Sequence, residues 1–298
     1  MDRFEAMTIL VAAVDRGSLS AASRQLGIPL ATVSRRISEL EKHLGIRLLL
    51  RGNRRLVLTD AGQSYVASCR SIMEDVAEVE RKAAGEYLAP RGELVISVPL
   101  VMGRIHGLPV IAEFIRAYSD IRVRVQLTDR KVNLIEEHVD VALRTGELPD
   151  SGMIAIRVGL IRQVLCASPS YLANRSTPIE PADLALFDCV GYEDVTPGTS
   201  WEFRNRDGLQ TVSVTWRLMV NSIEGAVAAA EQGAGIARVL SYQIDQQMKS
   251  GSLVTLLEEY ELPKTPVSLI YPSQKQVPLK LRAFLDFASP RLRQRLEG

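Results

Sequence analysis

Residues 18–45 read SLSAASRQLGIPLATVSRRISELEKHLG, and they decide the fold of the first part of the chain. The spacing predicts two short helices joined by a tight turn. In the second, Val33, Ile37, Leu40 and Leu44 recur at intervals of four, three and four, so they share one face and that face is core. In the first, Ala21, Ala22 and Leu26 do the same with small side chains, which lets the two helices cross closely. Gly27 supplies the break between them. The opposite face of the second helix carries Leu30, Ala31, Thr32, Ser34, Arg35 and Ser38, all short residues or cations apart from Leu30. Short side chains let a helix sink into the major groove of a duplex, where cations meet phosphates or guanine edges. The free N–H groups at a helix start add an attraction for phosphate. Ser18 and Arg36 complete the expected DNA-contacting set on this helix pair. A plain helical hairpin with a solvated face is the competing reading.

The next stretch favours DNA. Arg47 to Leu58, RLLLRGNRRLVL, is two apolar runs around Gly52-Asn53, a turn pair suited to a β-hairpin. Its tip carries Arg51, Arg54 and Arg55. A basic hairpin directly after a recognition helix is the wing of a winged helix-turn-helix, placed to grip backbone or minor groove. Net charge is only +1 over 298 residues. From Arg24 to Leu58, however, eight cations stand against two acids, a local charge of +6.

These residues carry a family resemblance. The chain resembles the LysR-type transcriptional regulators over its whole length, in Phe4, Gly17-Ser18, Ala21-Ala22, Val33-Ser34-Arg35-Arg36-Ile37, Leu40-Glu41, Leu44-Gly45, Leu48, Arg51 and Leu58-Thr59-Asp60-Ala61-Gly62. It departs from the family at Leu49, usually Phe, and at Pro29 and Leu30, often serine and glutamine. Those departures remove a helix cap and one base contact, which bears on the target sequence and not on the fold. The resemblance implies α/β architecture with an N-terminal all-α-plus-wing domain. Residues 1–58 would be the winged helix-turn-helix, 59–89 a linker helix for dimerisation, and 90–298 an effector-binding domain. Within the last, lobe I would take about 90–161 and 266–298, and lobe II about 162–265.

The length suits two or three domains, and 46% hydrophobic residues are enough for substantial cores. No secretory leader is seen, since MDRFEAMTILVAAVDRGS is interrupted by Asp15 and Arg16. No apolar run approaches a membrane span. A cytoplasmic location with no membrane partner is the expectation. Cys69, Cys166 and Cys189 are too scattered for a disulfide framework and are expected to be buried small hydrophobes.

Gln63 to Leu88 reads as one long helix with Tyr65, Cys69, Ile72, Val76, Val79 and Ala83 forming a heptad seam. The seam wants a partner, either another helix of the same chain or a second copy. The resemblance implies an antiparallel linker dimer, in a dimer or tetramer, and hence an operator with dyad symmetry.

After Pro90-Arg91-Gly92 the pattern turns to alternating strands and helices. Glu93 to Val98, Ile121 to Leu127 and Val139 to Leu143 read as strands, and Leu108 to Tyr118 and Val132 to His138 as helices, a doubly wound α/β unit. A second unit starts near Gln163, with helical Ser170 to Asn174, a strand over Val212 to Trp216 and an alanine-rich helix over Glu224 to Gln232. Val267 to Tyr271, a strand, and Pro278 to Ala288, a helix, return to the first unit. Two such lobes form a cleft, as in the periplasmic-type binding proteins this domain resembles. Ligands of open α/β sheets sit beyond the carboxyl ends of strands. Those ends are Pro99, Leu100, Val101 and Met102, then Thr128 and Asp129, then Arg144, with Asn221 and Ser222 across the cleft. By resemblance these line an inducer pocket. Arg144 would suit a small carboxylate or serve in a structural ion pair.

His43, His106 and His138 lack metal-ligand spacing, and there is no GxGxxG after a strand, no GKS and no GxSxG. Gly233-Ala234-Gly235 follows a helix as a C-cap would. No cofactor, metal or catalytic residue is expected. The reading is a ligand-responsive transcriptional regulator, with RNA polymerase a further candidate partner. The alternative is a cytoplasmic α/β binding protein or enzyme with a helical dimerisation arm.

Overall fold

The computed structural model describes residues 2–50, 56–83, 89–147, 152–173, 175–192, 200–206, 208–273 and 277–296, the side chains of 78 and 81–83 excepted. Four helices open it: α1 (Arg3–Asp15), α2 (Leu19–Leu26), α3 (Leu30–Leu44) and α4 (Asp60–Ala83). Asp2 caps α1, accepting from the Phe4 and Glu5 N–H groups. Ser18 caps α2 in the same way through the Ala21 N–H at 3.1 Å. Gly27 and Gly45 end α2 and α3 in the left-handed conformation. Val33, Ile37 and Leu40 meet Ile9, Leu10 and Ala13 of α1 and Ala22 of α2 in one buried cluster. Each of the three large α3 residues contributes about 1.5–3 kcal/mol by leaving water.

The base of the expected wing is formed by an antiparallel bridge between Leu49 and Leu58, with the Leu50 N–H donating to the Val57 carbonyl at 2.9 Å. Its tip, with Arg51, Arg54 and Arg55, lies outside the described residues. Thr59 ties this base to α4: its hydroxyl donates to the Arg47 carbonyl at 2.7 Å and accepts from the Gly62 N–H at 2.9 Å. A side chain at Gly62 would overlap the Leu48 carbonyl, which is backbone and cannot swing away.

The seam expected on α4 is divided. Tyr65, Val66 and Cys69 pack into the cluster under α1, so this part is held by its own chain. Ile72 and Val79 are exposed.

The remainder forms two α/β units. In the first, β1 (Gly92–Val98) leads into α5 (Leu100–Met102), a π-helical turn over Gly103–Gly107 and α6 (Leu108–Ala117), one continuous rod. Then come β2 (Ile121–Leu127), β3 (Val141–Thr145) and β4 (Met153–Ile161). The second holds β5 (Gln163–Ala167), α7 (Pro169–Leu172), β6 (Asp188–Tyr192), β7 (Ser200–Asn205), β8 (Gly208–Ser213), β9 (Thr215–Val220), α8 (Ile223–Glu231), β10 (Ile236–Leu240), α9 (Asp245–Ser250) and β11 (Val254–Leu256). The chain returns through β12 (Thr265–Pro272) and α10 (Leu279–Leu296). The sheet orders are β2-β1-β3-β12-β4 and β11-β5-β10-β6-β9, with β7-β8 a separate hairpin. β1 is parallel to β2 and β3, whereas β12 runs antiparallel between β3 and β4.

Several expectations are corrected. Val132–His138 is a turn, not a helix. Asn133 folds back to accept from the Ile135 and Glu136 N–H groups, and His138 takes a left-handed φ of 51°. The helix expected from Leu108 begins at Leu100, because the two glycines that disguise it occupy the π turn. The strand over Val212–Trp216 is two strands broken at Val214. The last helix continues past Ala288 to Leu296 despite Pro290.

Among the described residues no helix is long and apolar enough to cross a membrane. All three cysteines are buried, and burial pushes the Cys166 and Cys189 thiols up to about 12.

His106, on the π turn, is buried edge-on to Tyr242 of the second lobe at 5.6 Å, and neither ring nitrogen has a partner among the described residues. Burial, then the Arg295 charge, lowers its pKa from 6.5. The unfolded chain therefore binds the proton more readily, and this contribution to stability is lost as pH falls below about 6.5. A His106→Phe variant is expected to flatten the stability-against-pH curve between pH 7 and 5 in denaturant titrations, and an unaltered curve would exclude His106 as its origin. Gly62→Ala is expected to lose about 1–3 kcal/mol by overpacking at the Leu48 carbonyl. Chemical denaturation checks it, and an unchanged midpoint would mean the backbone there has room.

Candidate nucleic-acid interface and interlobe cleft

Inward burial of Val33, Ile37 and Leu40 turns the rest of α3 to solvent. Leu30, Ala31, Ser34 and Arg35 are exposed and Thr32 is half-buried. Pro29 precedes the helix with no side-chain cap, so the only capping acceptor is its carbonyl, taken by the Thr32 and Val33 N–H groups. No described group accepts from the Leu30 and Ala31 N–H groups, which leaves them to a ligand or water.

The arginines of α3 differ in what they touch. Arg35, its side chain 60% exposed, makes one ion pair along the helix with Glu39 at 3.2 Å, a contact that gives way readily in water. Arg36 is half-buried and bridges α3 to α1, with Glu5 at 3.1 Å and Glu39 at 3.4 Å. Sequence places Arg36 with Arg35; the structure gives it to the helix junction.

Glu41 is a functional residue that sequence reasoning misses. One of its carboxylate oxygens accepts from the Leu48 and Leu49 N–H groups at 2.7 and 3.0 Å. This anchors the strand that starts the wing to the end of the recognition helix. The reach from 41 to 48 crosses the Gly45 turn, which no helical spacing rule would reveal.

The second site lies between the lobes. Arg104 on the π turn and Glu224 in the first turn of α8 join across it at 2.8 Å. They border a pocket of about 130 Å³ that Val101, Glu231, Gln243 and Gln247 also line. Of the residues expected here from sequence, Val101 alone lines that pocket. Met102 is fully buried in the core. Asp129 accepts from the Leu100 N–H at 3.0 Å and so caps the start of α5. Thr128 accepts from the Arg130 N–H, Ser222 caps α8 through the Gly225 N–H at 3.0 Å, and Asn221 and Ser222 are exposed. Pro99 precedes α5 without a side-chain cap.

Arg144 donates to the Ser97 hydroxyl at 2.9 Å and to its own neighbour's carbonyl at 3.0 Å. Among the described residues it has no acid within ion-pair distance. Glu137, whose charge it feels, is held by Arg130. Burial, then Arg130, lowers the pKa of Arg144 from its usual value. A half-buried cation hydrogen-bonded only to neutral groups is set for an anion.

Comparison with known proteins identifies the family. Residues 4–63 match the family model for bacterial regulatory helix-turn-helix proteins of the lysR family, and residues 89–293 match the LysR substrate-binding domain. The chain is 33% identical over 297 residues to the transcriptional regulator CrgA of Neisseria meningitidis serogroup B, covering 99% of this chain and 98% of that protein. The solved structure of CrgA superposes with a TM-score of 0.62 over 97% of this chain and 98% of that one. Full-length AphB, a virulence activator of Vibrio cholerae, superposes with a TM-score of 0.60 at 26% identity over 97% and 98%. These relatives are regulators and not enzymes, which removes the enzymatic alternative. The chain belongs to the LysR family of DNA-binding transcriptional regulators, with a helix-turn-helix domain ahead of an effector-binding domain.

Proposed function

We propose that Leu30, Ala31, Thr32, Ser34 and Arg35 enter the major groove, with Ser18 at the start of α2 on a phosphate and the wing arginines Arg51, Arg54 and Arg55 on the backbone beside it. The observation that carries this reading is the exposed strip of α3 with its two unpartnered N–H groups. Arg36 serves the interface from behind by fixing α3 on α1. We assign residues 1–58 to DNA binding, 59–89 to the linker and 90–298 to effector binding, with lobes at 90–161 plus 266–298 and at 162–265. Exposed Ile72 and Val79 support pairing of two linker helices, which presents two recognition helices to a dyad-symmetric operator. A tetramer would pair two such dimers. The chromosomal target puts the protein in the cytoplasm, with RNA polymerase as its partner at the promoter.

The effector we propose is a small carboxylate held by Arg144 between the lobes, with Pro99, Leu100, Val101, Thr128, Asp129, Asn221 and Ser222 forming the surrounding wall and Met102 supporting it from the core. Such a ligand shifts the regulator only through its differential affinity for two arrangements of the lobes. The resulting change in spacing between recognition helices alters DNA bending.

Arg35→Ala is expected to lower affinity for the operator by about 10- to 100-fold and to narrow discrimination, in line with the cost of losing one base contact. Arg54→Ala is expected to weaken all DNA about equally and to reduce the salt dependence of binding. Gel shifts on operator and scrambled fragments at two salt concentrations separate the two. Equal proportional losses on both fragments for both variants would overturn the division of roles. Calorimetry with a panel of small aliphatic and aromatic carboxylates, before and after Arg144→Ala, tests the cleft. Affinity that survives the substitution would remove Arg144 from the site.

A further inference from the structure

Through Ser68 and Glu74 the helix that carries the DNA-binding domain touches the effector domain. Ser68 Oγ of α4 lies 3.0 Å from His138 Nε2, on the turn where that histidine is left-handed. Six residues along the same helix, the Glu74 carboxylate meets the Lys280 ammonium at 3.4 Å. That ammonium also pairs with Asp140 at 3.5 Å and donates to the Glu93 carbonyl. Its side chain is only 13% exposed, so the cluster is well screened from water and its charges interact more strongly than surface pairs do. Gly92 lies under Glu74 with φ +107°, and a side chain there would overlap the carboxylate. The start of β1, the turn before β3 and the first turn of α10 therefore converge on one acid of α4.

We infer that Glu74 and Lys280 are a positioning pair, the joint through which the effector domain fixes the direction of the DNA-binding arm. From Glu74 back to the start of α4 at Asp60 is 14 residues, about 21 Å of helix, so a turn of roughly 10° at the joint displaces the DNA-binding end by about 4 Å. That displacement is about a third of the ~12 Å width of the major groove. The joint also shares its strands with the cleft. Glu93 stands at the start of β1 and Ser97 near its end, while Asp140 precedes β3 and Arg144 lies within it. A shift of these strands at the cleft end reaches the Lys280 cluster along two rigid elements.

The test uses the full chain with spin labels on Glu80→Cys of α4 and Arg122→Cys of β2, both exposed positions, diluted into unlabelled protein. The three native cysteines are buried. Pulsed-resonance distance distributions are recorded without DNA, so the outcome does not depend on the residues proposed to read bases. The expected result is a single narrow distribution in the parent and a broadened or shifted one in Glu74→Gln, with a thermal midpoint within about 2 °C of the parent. Lys280→Arg, which keeps the charge, is expected to retain the parent distribution. On an operator fragment selected by the full-length protein from random-sequence DNA, Glu74→Gln is expected to alter the length of the protected footprint while affinity for non-specific DNA stays within about twofold. An unchanged distance distribution in Glu74→Gln would overturn the inference. So would an unchanged footprint.

Discussion

The packing of Val33, Ile37 and Leu40 against α1 is the constraint that dictates which face of α3 is left for the proposed DNA contact. Once those three side chains are inside, helical geometry leaves Ala31, Ser34 and Arg35 no choice but the outer face. The same packing fixes Glu41 near the end of α3, where it can accept the Leu48 and Leu49 N–H groups and set the start of the wing. Recognition helix and wing are thus positioned by one core. Interior close packing resists small displacements of the end of α3 and of the wing base at Leu48 and Leu49.

Arginine serves different ends according to burial and neighbours. On the recognition helix the exposed Arg35 has an acid four residues along that it can exchange for phosphate or base, whereas Arg36 is committed to Glu5 of another helix. In the effector domain Arg104 spans the lobes to Glu224, a bond that any ligand-driven change of lobe separation must stretch or break. Arg144 is the contrasting case, with a hydroxyl and a carbonyl as its only partners among the described residues. Among the described residues that half-buried guanidinium has no acid within ion-pair distance, a costly arrangement for a desolvated charge.

Periodicity makes α2 and α3 legible because one face of each is buried within the chain, and the Gly27 break falls where a left-handed cap is needed. The strands Glu93–Val98 and Ile121–Leu127 are legible for the same reason. What stays hidden depends on contacts distant in sequence or on side chains that capture the local backbone. The apolar residues Val132 and Leu134 suggest a helix because both are buried, yet an asparagine side chain takes over the local hydrogen bonds. The rod from Leu100 to Ala117 reads as starting late because Gly103 and Gly107 look like a loop, whereas a side chain at Gly103 would overlap Leu127 and crowd Val98. On α4 a single heptad register describes two faces, since Cys69 serves the core under α1 and Val79 does not. In the cleft the strand-end rule names Val101, while Arg104, Glu231 and Gln243 come from turns and helices that it does not cover.

A regulator of this kind has to convert binding in the cleft into a new direction of its arms, and the energy for that conversion is bounded by the ligand's preference for one lobe arrangement over another. A few kcal/mol is the usual scale of such coupling. The linkage between cleft and arm must therefore be stiff, because compliance at any step would dissipate a preference of that size. β1 and β3 supply stiffness along their length, lying in the middle of a five-stranded sheet with neighbours on both sides. At the far end stiffness has to come from a few groups, and a half-buried ammonium shared by two carboxylates and a carbonyl offers it with little area. An apolar contact of the same extent would allow sliding. A directional charge cluster does not, which is a physical reason for a lysine and an acid to stand where leucines would otherwise pack.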